Sequence, residues 1–307
     1  MDFVAADAPS REEILAFLSK RYHPTNKIPG LMAELDFAAF LDSLGFGERL
    51  VRGGWIVEPE SVDFYLKRIA LLPAPFGSAG GAPPIPVVTA AQYLRESGMR
   101  AFYCTPSRVS GTTVEWAAEE MSGPVVGPAK PLAAEVAGFP PRRRAYTKRT
   151  PDADVSPLAD VVSDELEVLF ARESMLEAVR KEHLAVANDL DYLVWGQKAT
   201  YPVEVKEKTA AAGGNQGDWL GIDIGPFSKL AAFGAYGHDS LFIVREITDR
   251  STRQMKAWRM IRFSDLCRAC SWVYQGGGKN MLGGASAVVK VPLAAFQPLD
   301  RAHLDAL

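Results

Sequence analysis

Two short apolar runs, separated by a polar turn, constrain the fold of this chain more than any other feature. They are Asp191–Trp195 and Tyr201–Lys206. Side chains along a strand alternate between the two faces of a sheet. The pattern therefore predicts a hairpin whose second strand points Val203 and Val205 into a core, with Glu204 on the opposite face.

Three charged groups are expected to meet on that opposite face. Glu204 and Lys206 have the same parity in their strand, and Asp191 starts the neighbouring run. Carboxylate oxygens suit Mg²⁺, which keeps water and substrate phosphate as its other ligands. A lysine can stabilise a developing hydroxide or the charge on a phosphate. We therefore expect Asp191 and Glu204 to bind Mg²⁺ and Lys206 to be catalytic.

This arrangement resembles the PD-(D/E)XK nuclease superfamily, whose motif is an aspartate, a spacer and then Glu/Asp-x-Lys. Asp191 with Tyr-Leu-Val, followed by Val-Glu-Val-Lys, is similar to the resolvase-type variant. Leu190 replaces the proline that usually precedes the aspartate, and Asp189 competes for the same role. The resemblance covers about residues 158–250.

The resemblance implies a fold, a chemistry and a partner. The fold is α/β, with a restriction-endonuclease-like core in which helices flank a mixed central sheet, and with an N-terminal α+β extension. The core elements would follow the order helix, strand, strand, helix, strand. The activity is Mg²⁺-dependent hydrolysis of phosphodiester bonds in DNA. The alternative is a surface hairpin on which Glu204 and Lys206 form a solvated pair.

A helix is predicted ahead of the motif, because apolar residues recur at helical spacing over residues 158–180. At ~100° per residue, Glu165 falls near the centre of the apolar stripe, Glu173 inside it and Glu167 on the opposite face. A buried carboxylate needs a partner, which a metal or the catalytic lysine would supply. Nucleases of this superfamily often carry such a glutamate. We expect Glu165 to complete the catalytic site, with Glu173 as second choice; in the alternative, both are ordinary surface residues of a helix.

Contacts with DNA must come from local basic patches, because the net charge is −3 at pH 7. One patch, residues 142–149, interleaves cations with an aromatic ring just before the motif. Another cation continues the Glu204 face beyond Lys206. The expected DNA-binding residues are Arg142, Arg143, Arg144, Lys148, Arg149 and Lys208. A solvated linker is the alternative for residues 142–149.

The length of 307 residues and the hydrophobic content of 48% allow two domains. We expect an N-terminal α+β region over residues 1–150, serving DNA recognition or dimerisation, and a nuclease-like catalytic domain over residues 151–307. Ser10-x-x-Glu13 is a capping box that predicts a helix. Further helices are predicted over Asp36–Leu44, Ser61–Leu72, Ala90–Ser97 and Thr113–Met121.

The leading functional hypothesis is a type II restriction-like endonuclease. Residues 1–150 exceed what a minimal resolvase needs, and the sequence has no helicase or ATPase motif. A palindromic target would favour a homodimer. The alternatives are a DNA repair or recombination nuclease and a non-catalytic nuclease-fold module that binds DNA. A signal peptide and a transmembrane run are both missing from the sequence, so a cytoplasmic location is expected.

Overall fold

The computed structural model describes residues 7–22, 27–60, 67–78, 82–123, 127–142, 151–213, 217–271, 275–276 and 287–307, which form a mixed α/β structure. The helices are α1 (Arg11–Arg21), α2 (Lys27–Ser43), α3 (Ile85–Glu96), α4 (Leu132–Glu135), α5 (Ser163–Glu182), α6 (Ile224–Gly234), α7 (Phe263–Ala269) and α8 (Arg301–Asp305). The strands are β1 (Leu50–Arg52), β2 (Trp55–Pro59), β3 (Ile69–Pro73), β4 (Arg100–Ser110), β5 (Thr113–Glu120), β6 (Lys130–Pro131), β7 (Ala185–Asp189), β8 (Tyr192–Trp195), β9 (Thr200–Lys208), β10 (Trp219–Asp223), β11 (Leu241–Ile247), β12 (Met255–Arg262), β13 (Gln275–Gly276), β14 (Ala287–Pro292) and β15 (Gln297–Pro298). Within the described ranges, no helix combines the length and the apolar character needed to cross a bilayer.

The chain forms two compact units, and their limits differ from the domain limits expected from the sequence. The first unit consists of Met1–Ile28 and Arg52–Leu190, and the second of Pro29–Val51 and Asp191–Leu307. The expected boundary at residue 150 falls inside the first unit. The second unit is discontinuous because the chain leaves it after β1 and returns to it at β8.

The first unit contains a six-stranded sheet in the order β6-β5-β4-β3-β2-β7. Strands β3 and β4 are parallel and are connected through α3, while the other neighbouring strands are antiparallel. Helix α5 packs against α1 and against β3, β5 and β7. Its buried apolar residues include Leu166, Phe170, Leu176 and Val179, as the helical spacing predicts.

Local helix signals are confirmed where they depend on neighbouring residues. The side chain of Ser10 accepts from the backbone of Glu13 and the side chain of Glu13 accepts from the backbone of Ser10, so the predicted capping box starts α1. Gly45, with φ of +78°, follows the end of α2. A left-handed conformation after a helix favours glycine because it has no Cβ.

In the first unit, the helix predicted over Thr113–Met121 is wrong, and the helix predicted over Ser61–Leu72 is wrong at its C-terminal end. Residues Thr113–Glu120 form β5, which pairs along its length with β4. Of the predicted helix Ser61–Leu72, residues 61–66 lie outside the described residues, and Ile69–Leu72 belongs to β3. Sheet partners supplied by distant segments override weak local helical spacing.

The second unit contains a six-stranded sheet in the order β1-β8-β9-β11-β12-β15. Strands β8 and β9 form the predicted antiparallel hairpin, with Tyr192 opposite Val203. Strands β9 and β11 are parallel, so a long connection must join them. That connection contains β10 and α6, and β10 belongs to a separate sheet in the order β10-β14-β13.

The two faces of the larger sheet carry two separate cores. Val203 and Val205 pack with Phe37 and Leu41 of α2 in one core, as the alternation predicts. Phe242 and Val244 pack with residues of β10, α6, α7 and β14 in the other core. Glu204 lies beside Phe242 in the parallel register, and it therefore points towards this second core.

Candidate active site

The β8–β9 hairpin places Asp191 and Glu204 on the same sheet face. Continuing the register of Tyr192 and Val203 by one residue sets Asp191 opposite Glu204. Asp191 is 0% exposed and Glu204 is 1% exposed. The backbone N–H of Val205 donates to Oδ2 of Asp191 at 2.8 Å. This bond connects the start of β8 to the middle of β9 and holds the aspartate in place.

The ammonium of Lys206 lies among three oxygens from three residues. Its Nζ is 2.5 Å from Oε1 of Glu204 and 3.8 Å from Oδ2 of Asp191. It also donates to the carbonyl oxygen of Val205 at 3.0 Å. The side chain is 29% exposed, so solvent reaches this cluster from one side. The predicted convergence of Asp191, Glu204 and Lys206 is therefore present in the second unit.

A second lysine completes the cluster and was not among the site residues expected from the sequence. Lys229 of α6 forms a close ion pair with Oε2 of Glu204, and its side chain is 8% exposed. Along the sequence it stands next to Leu230, which is buried in α6. A distant helix brings it to the hairpin, so a motif search centred on Glu204 does not find it.

The formal charges of these four side chains, two carboxylates that are buried and two lysines, sum to zero. Asp191 and Glu204 supply two negative charges, and Lys206 and Lys229 supply two positive charges. Buried carboxylates are costly unless they are paired and hydrogen-bonded. Pairing with the two lysines explains how two carboxylates can be buried on this face of the sheet.

The oxygens of the cluster are of the type that hard divalent cations prefer. Oδ1 of Asp191 is buried and accepts no hydrogen bond from the described residues. Asp191, Glu204 and the carbonyl of Val205 already surround a cationic group, the Lys206 ammonium. In the described part of the chain, no group of three or more His, Cys, Asp or Glu side chains could hold a metal. Two carboxylates are nevertheless the usual protein contribution to a Mg²⁺ site, with water and substrate phosphate as the remaining ligands.

Asp189 and Asp191 do not share a strand, although the sequence placed them one strand repeat apart. Asp189 ends β7 of the first unit, where it is opposite Trp55, and Asp191 precedes β8 of the second unit. The carboxylate of Asp189 pairs with Lys27 at 3.3 Å. The chain passes from one sheet to another at Leu190, so the two carboxylates do not project from one strand, as their spacing of two residues would otherwise predict.

Glu165 lies in the first turn of α5, in the first unit. It is half-buried and forms a close ion pair with Arg52 of the same unit. Glu173 is buried. Glu167, which the helical spacing puts opposite the apolar stripe, is half-buried rather than exposed. Burial raises the pKa of the Glu167 carboxyl group. The role of Glu165 in the catalytic site stays a prediction.

The expected DNA-binding residues are only partly described by the structure. Arg143, Arg144, Lys148 and Arg149 lie outside the described residues. Nε of Arg142 donates to the carbonyl oxygen of Arg180 at 2.6 Å, at the end of α5. Lys208 pairs with Asp223 at 3.1 Å, at the start of α6. DNA contacts by these residues stay predictions.

Comparison with known proteins identifies no relative of this chain. No protein-family model, no curated protein and no solved structure matches the chain.

Proposed function

We propose that this protein is a Mg²⁺-dependent DNA endonuclease. The observation that carries the proposal is the convergence of Asp191, Glu204 and Lys206 on one face of the β8–β9 hairpin. Both carboxylates are buried, while the lysine remains partly open to solvent. A solvated surface pair, which was the alternative, would not bury two carboxylates within reach of one ammonium.

The strand connections of the second unit support a restriction-endonuclease-like core. The antiparallel hairpin is followed by α6 and then by β11, which is parallel to β9. Apart from β10, which lies between β9 and α6 and belongs to a separate sheet, this is the order strand, strand, helix, strand that the resemblance implies. The helix packed on the Val203 face is α2, which precedes the hairpin by more than a hundred residues. In this proposal, residues 52–190 are an insertion between the first two strands of the core.

The proposed chemistry assigns a task to each side chain. Asp191 and Glu204 would hold the ion, which on binding would activate water and stabilise charge on the phosphate. Lys206 would keep its positive charge beside the reacting phosphate and orient the attacking water. The Val205 N–H would keep Asp191 in one orientation, because that hydrogen bond does not involve the ion.

A cleavage assay tests the proposal. Purified protein is incubated with supercoiled plasmid, linear DNA and RNA, with Mg²⁺ or with EDTA. We expect nicked and linear plasmid with Mg²⁺ alone, and none from Lys206→Met or Glu204→Gln. Lys256→Met is the matched control, because Lys256 also pairs with a buried glutamate, Glu246, but in a separate ion-pair group. DNA binding without cleavage in any divalent ion would favour the non-catalytic module instead.

Within this activity, type II restriction-like cleavage is the leading proposal. The first unit has its own sheet and helices, which suits a separate role in DNA recognition. Cleavage of a long linear DNA into discrete fragments, by a protein that light scattering shows to be dimeric, would support it. Cleavage confined to branched or damaged DNA would instead favour a repair or recombination nuclease.

A further inference from the structure

We infer that Lys229 is a built-in counter-ion that competes with the divalent cation for Glu204 and so sets the metal affinity of the site. The inference deepens the proposed function and rests on it. It concerns a residue outside the Asp-Glu-x-Lys motif, on a helix rather than on the hairpin. Lys229 would act through Glu204, and it is therefore a positioning residue.

The contacts of Glu204 carry the inference. The ammonium of Lys206 contacts Oε1 of Glu204 and that of Lys229 contacts Oε2, so each oxygen of this carboxylate has an ammonium beside it. Glu204 has almost no solvent exposure with which to screen them. A cation that takes either oxygen must therefore approach at least one ammonium closely or displace it.

Charge counting gives the direction of the effect. The two carboxylates and two ammonium groups sum to zero, and a divalent cation would raise the total to +2. Like charges repel strongly where burial limits screening by water. Removing the charge of Lys229 should therefore tighten metal binding, even though a residue near the metal site is lost.

The two lysines are placed differently enough to be separated by experiment. Lys206 extends from β9 to three oxygens and is 29% exposed, so it can move towards solvent. Lys229 is 8% exposed and lies on α6 next to Leu230, a residue of the second core. It has less freedom to withdraw when a metal arrives, so its charge should act persistently against the metal.

Metal binding without DNA tests the inference directly. Mn²⁺ is titrated into each protein, and the free ion is followed by electron paramagnetic resonance. We expect Lys229→Met to bind Mn²⁺ at least about tenfold more tightly than the natural chain, since a unit charge a few ångströms from the ion is removed. Lys229→Arg, which keeps the charge, should bind with the natural affinity. Unchanged or weaker binding by a folded Lys229→Met protein would overturn the inference.

Controls separate this role from a structural one. Lys256→Met removes a lysine from a different buried glutamate, Glu246, and should leave Mn²⁺ affinity unchanged. Equal tightening by that variant would show a general charge effect and overturn the inference. Circular dichroism and thermal unfolding check each fold. If Lys229→Met does not fold, Lys229→Gln keeps a polar side chain without the charge, and the same tightening is required of it.

The outcomes also distinguish this inference from the nuclease proposal. Mg²⁺-dependent cleavage by the natural chain, without tighter Mn²⁺ binding in Lys229→Met, would overturn the inference alone. Tighter Mn²⁺ binding by that variant, with no DNA cleavage by the natural chain, would support the inference and reject the nuclease proposal. No Mn²⁺ binding by any of the proteins would overturn the inference, whereas the plasmid cleavage assay alone would still decide the nuclease proposal.

Discussion

At the scale of single residues, the ammonium of Lys206 contacts oxygens of Glu204, Val205 and Asp191. Only two of these oxygens belong to ionisable groups, and both of those groups are buried. Removing one of these charges should therefore slow the reaction more than it disturbs the packing. The apolar packing comes from other residues, namely those on the opposite face of the sheet and the apolar neighbours of the site.

Asp191→Asn is expected to lower the rate of Mg²⁺-dependent cleavage roughly a hundredfold or more. This is the range found when one stabilising group is lost from an active site. DNA affinity should change little, since the group acts at the reacting centre. Cleavage rates and fluorescence anisotropy of a labelled duplex measure the two effects. A variant that still cleaves at the natural rate would remove Asp191 from the site.

Asp189→Asn should keep cleavage at close to the natural rate. Its carboxylate pairs with Lys27 in a partly exposed ion pair of the first unit. Such pairs contribute about 0–1 kcal/mol to stability, so thermal unfolding should change little as well. If Asp189→Asn proves inactive and Asp191→Asn active, the two carboxylates have been assigned the wrong way round.

At the scale of secondary-structure elements, β11 and β12 are joined by ion pairs to one buried glutamate as well as by strand pairing. Glu246 of β11 is 1% exposed and pairs with Lys256 and Arg259 of β12. Burial alone would raise the pKa of Glu246, but the hydrogen bonds from both cations outweigh it and hold the pKa below its ordinary value.

Glu246→Gln should lower the free energy of unfolding by about 1.5–3 kcal/mol at pH 7, the range for losing hydrogen bonds to charged groups, because both cations are partly exposed to solvent. Because the folded pKa is depressed, this stabilisation is present above the unfolded pKa and is lost as pH falls through the folded value. Urea unfolding between pH 7 and pH 3 measures how much the free energy of unfolding differs between the natural chain and Glu246→Gln. This difference should be constant down to about pH 4 and should shrink below it. Glu120→Gln, in an exposed pair with Arg100, is the control and should cost at most about 1 kcal/mol. Equal effects of the two substitutions would contradict the prediction.

At the scale of the whole molecule, the second unit depends on residues from both ends of the chain. Phe37 of α2 is buried and packs against the rings of Tyr192 and Trp258. Leu304 and Leu307 belong to the same core. The candidate catalytic hairpin therefore needs a helix that lies outside residues 151–307.

A fragment of residues 151–307 should not fold cooperatively, since the core of the hairpin would lose the aromatic and aliphatic side chains of α2. In the full chain, Phe37→Ala should cost about 3–5 kcal/mol, the usual range for a buried phenylalanine. Calorimetry of the fragment and urea unfolding of the variant measure these effects. A sharp thermal transition in the isolated fragment would show that α2 is dispensable.

Local properties of this chain could be predicted from its sequence because they depend on residues close together along it. The alternation around Glu204 set which side chains face each core, and the hydrogen bonds between Ser10 and Glu13 started α1. The hairpin then followed from two apolar runs and the short turn between them. The convergence of Asp191, Glu204 and Lys206 needed no more than this hairpin.

Other features depend on contacts between residues far apart in the chain, and only the tertiary structure decided them. Residues 113–120 became a strand because β4 offers them a pairing edge, and α2 rather than α5 covers the Val203 face. The passage from one sheet to another at Leu190 separated Asp189 from Asp191. Lys229 reached Glu204 because α6 lies in the crossover between two parallel strands. Burial of apolar surface selects such partners over the whole chain, so no short stretch of sequence specifies them.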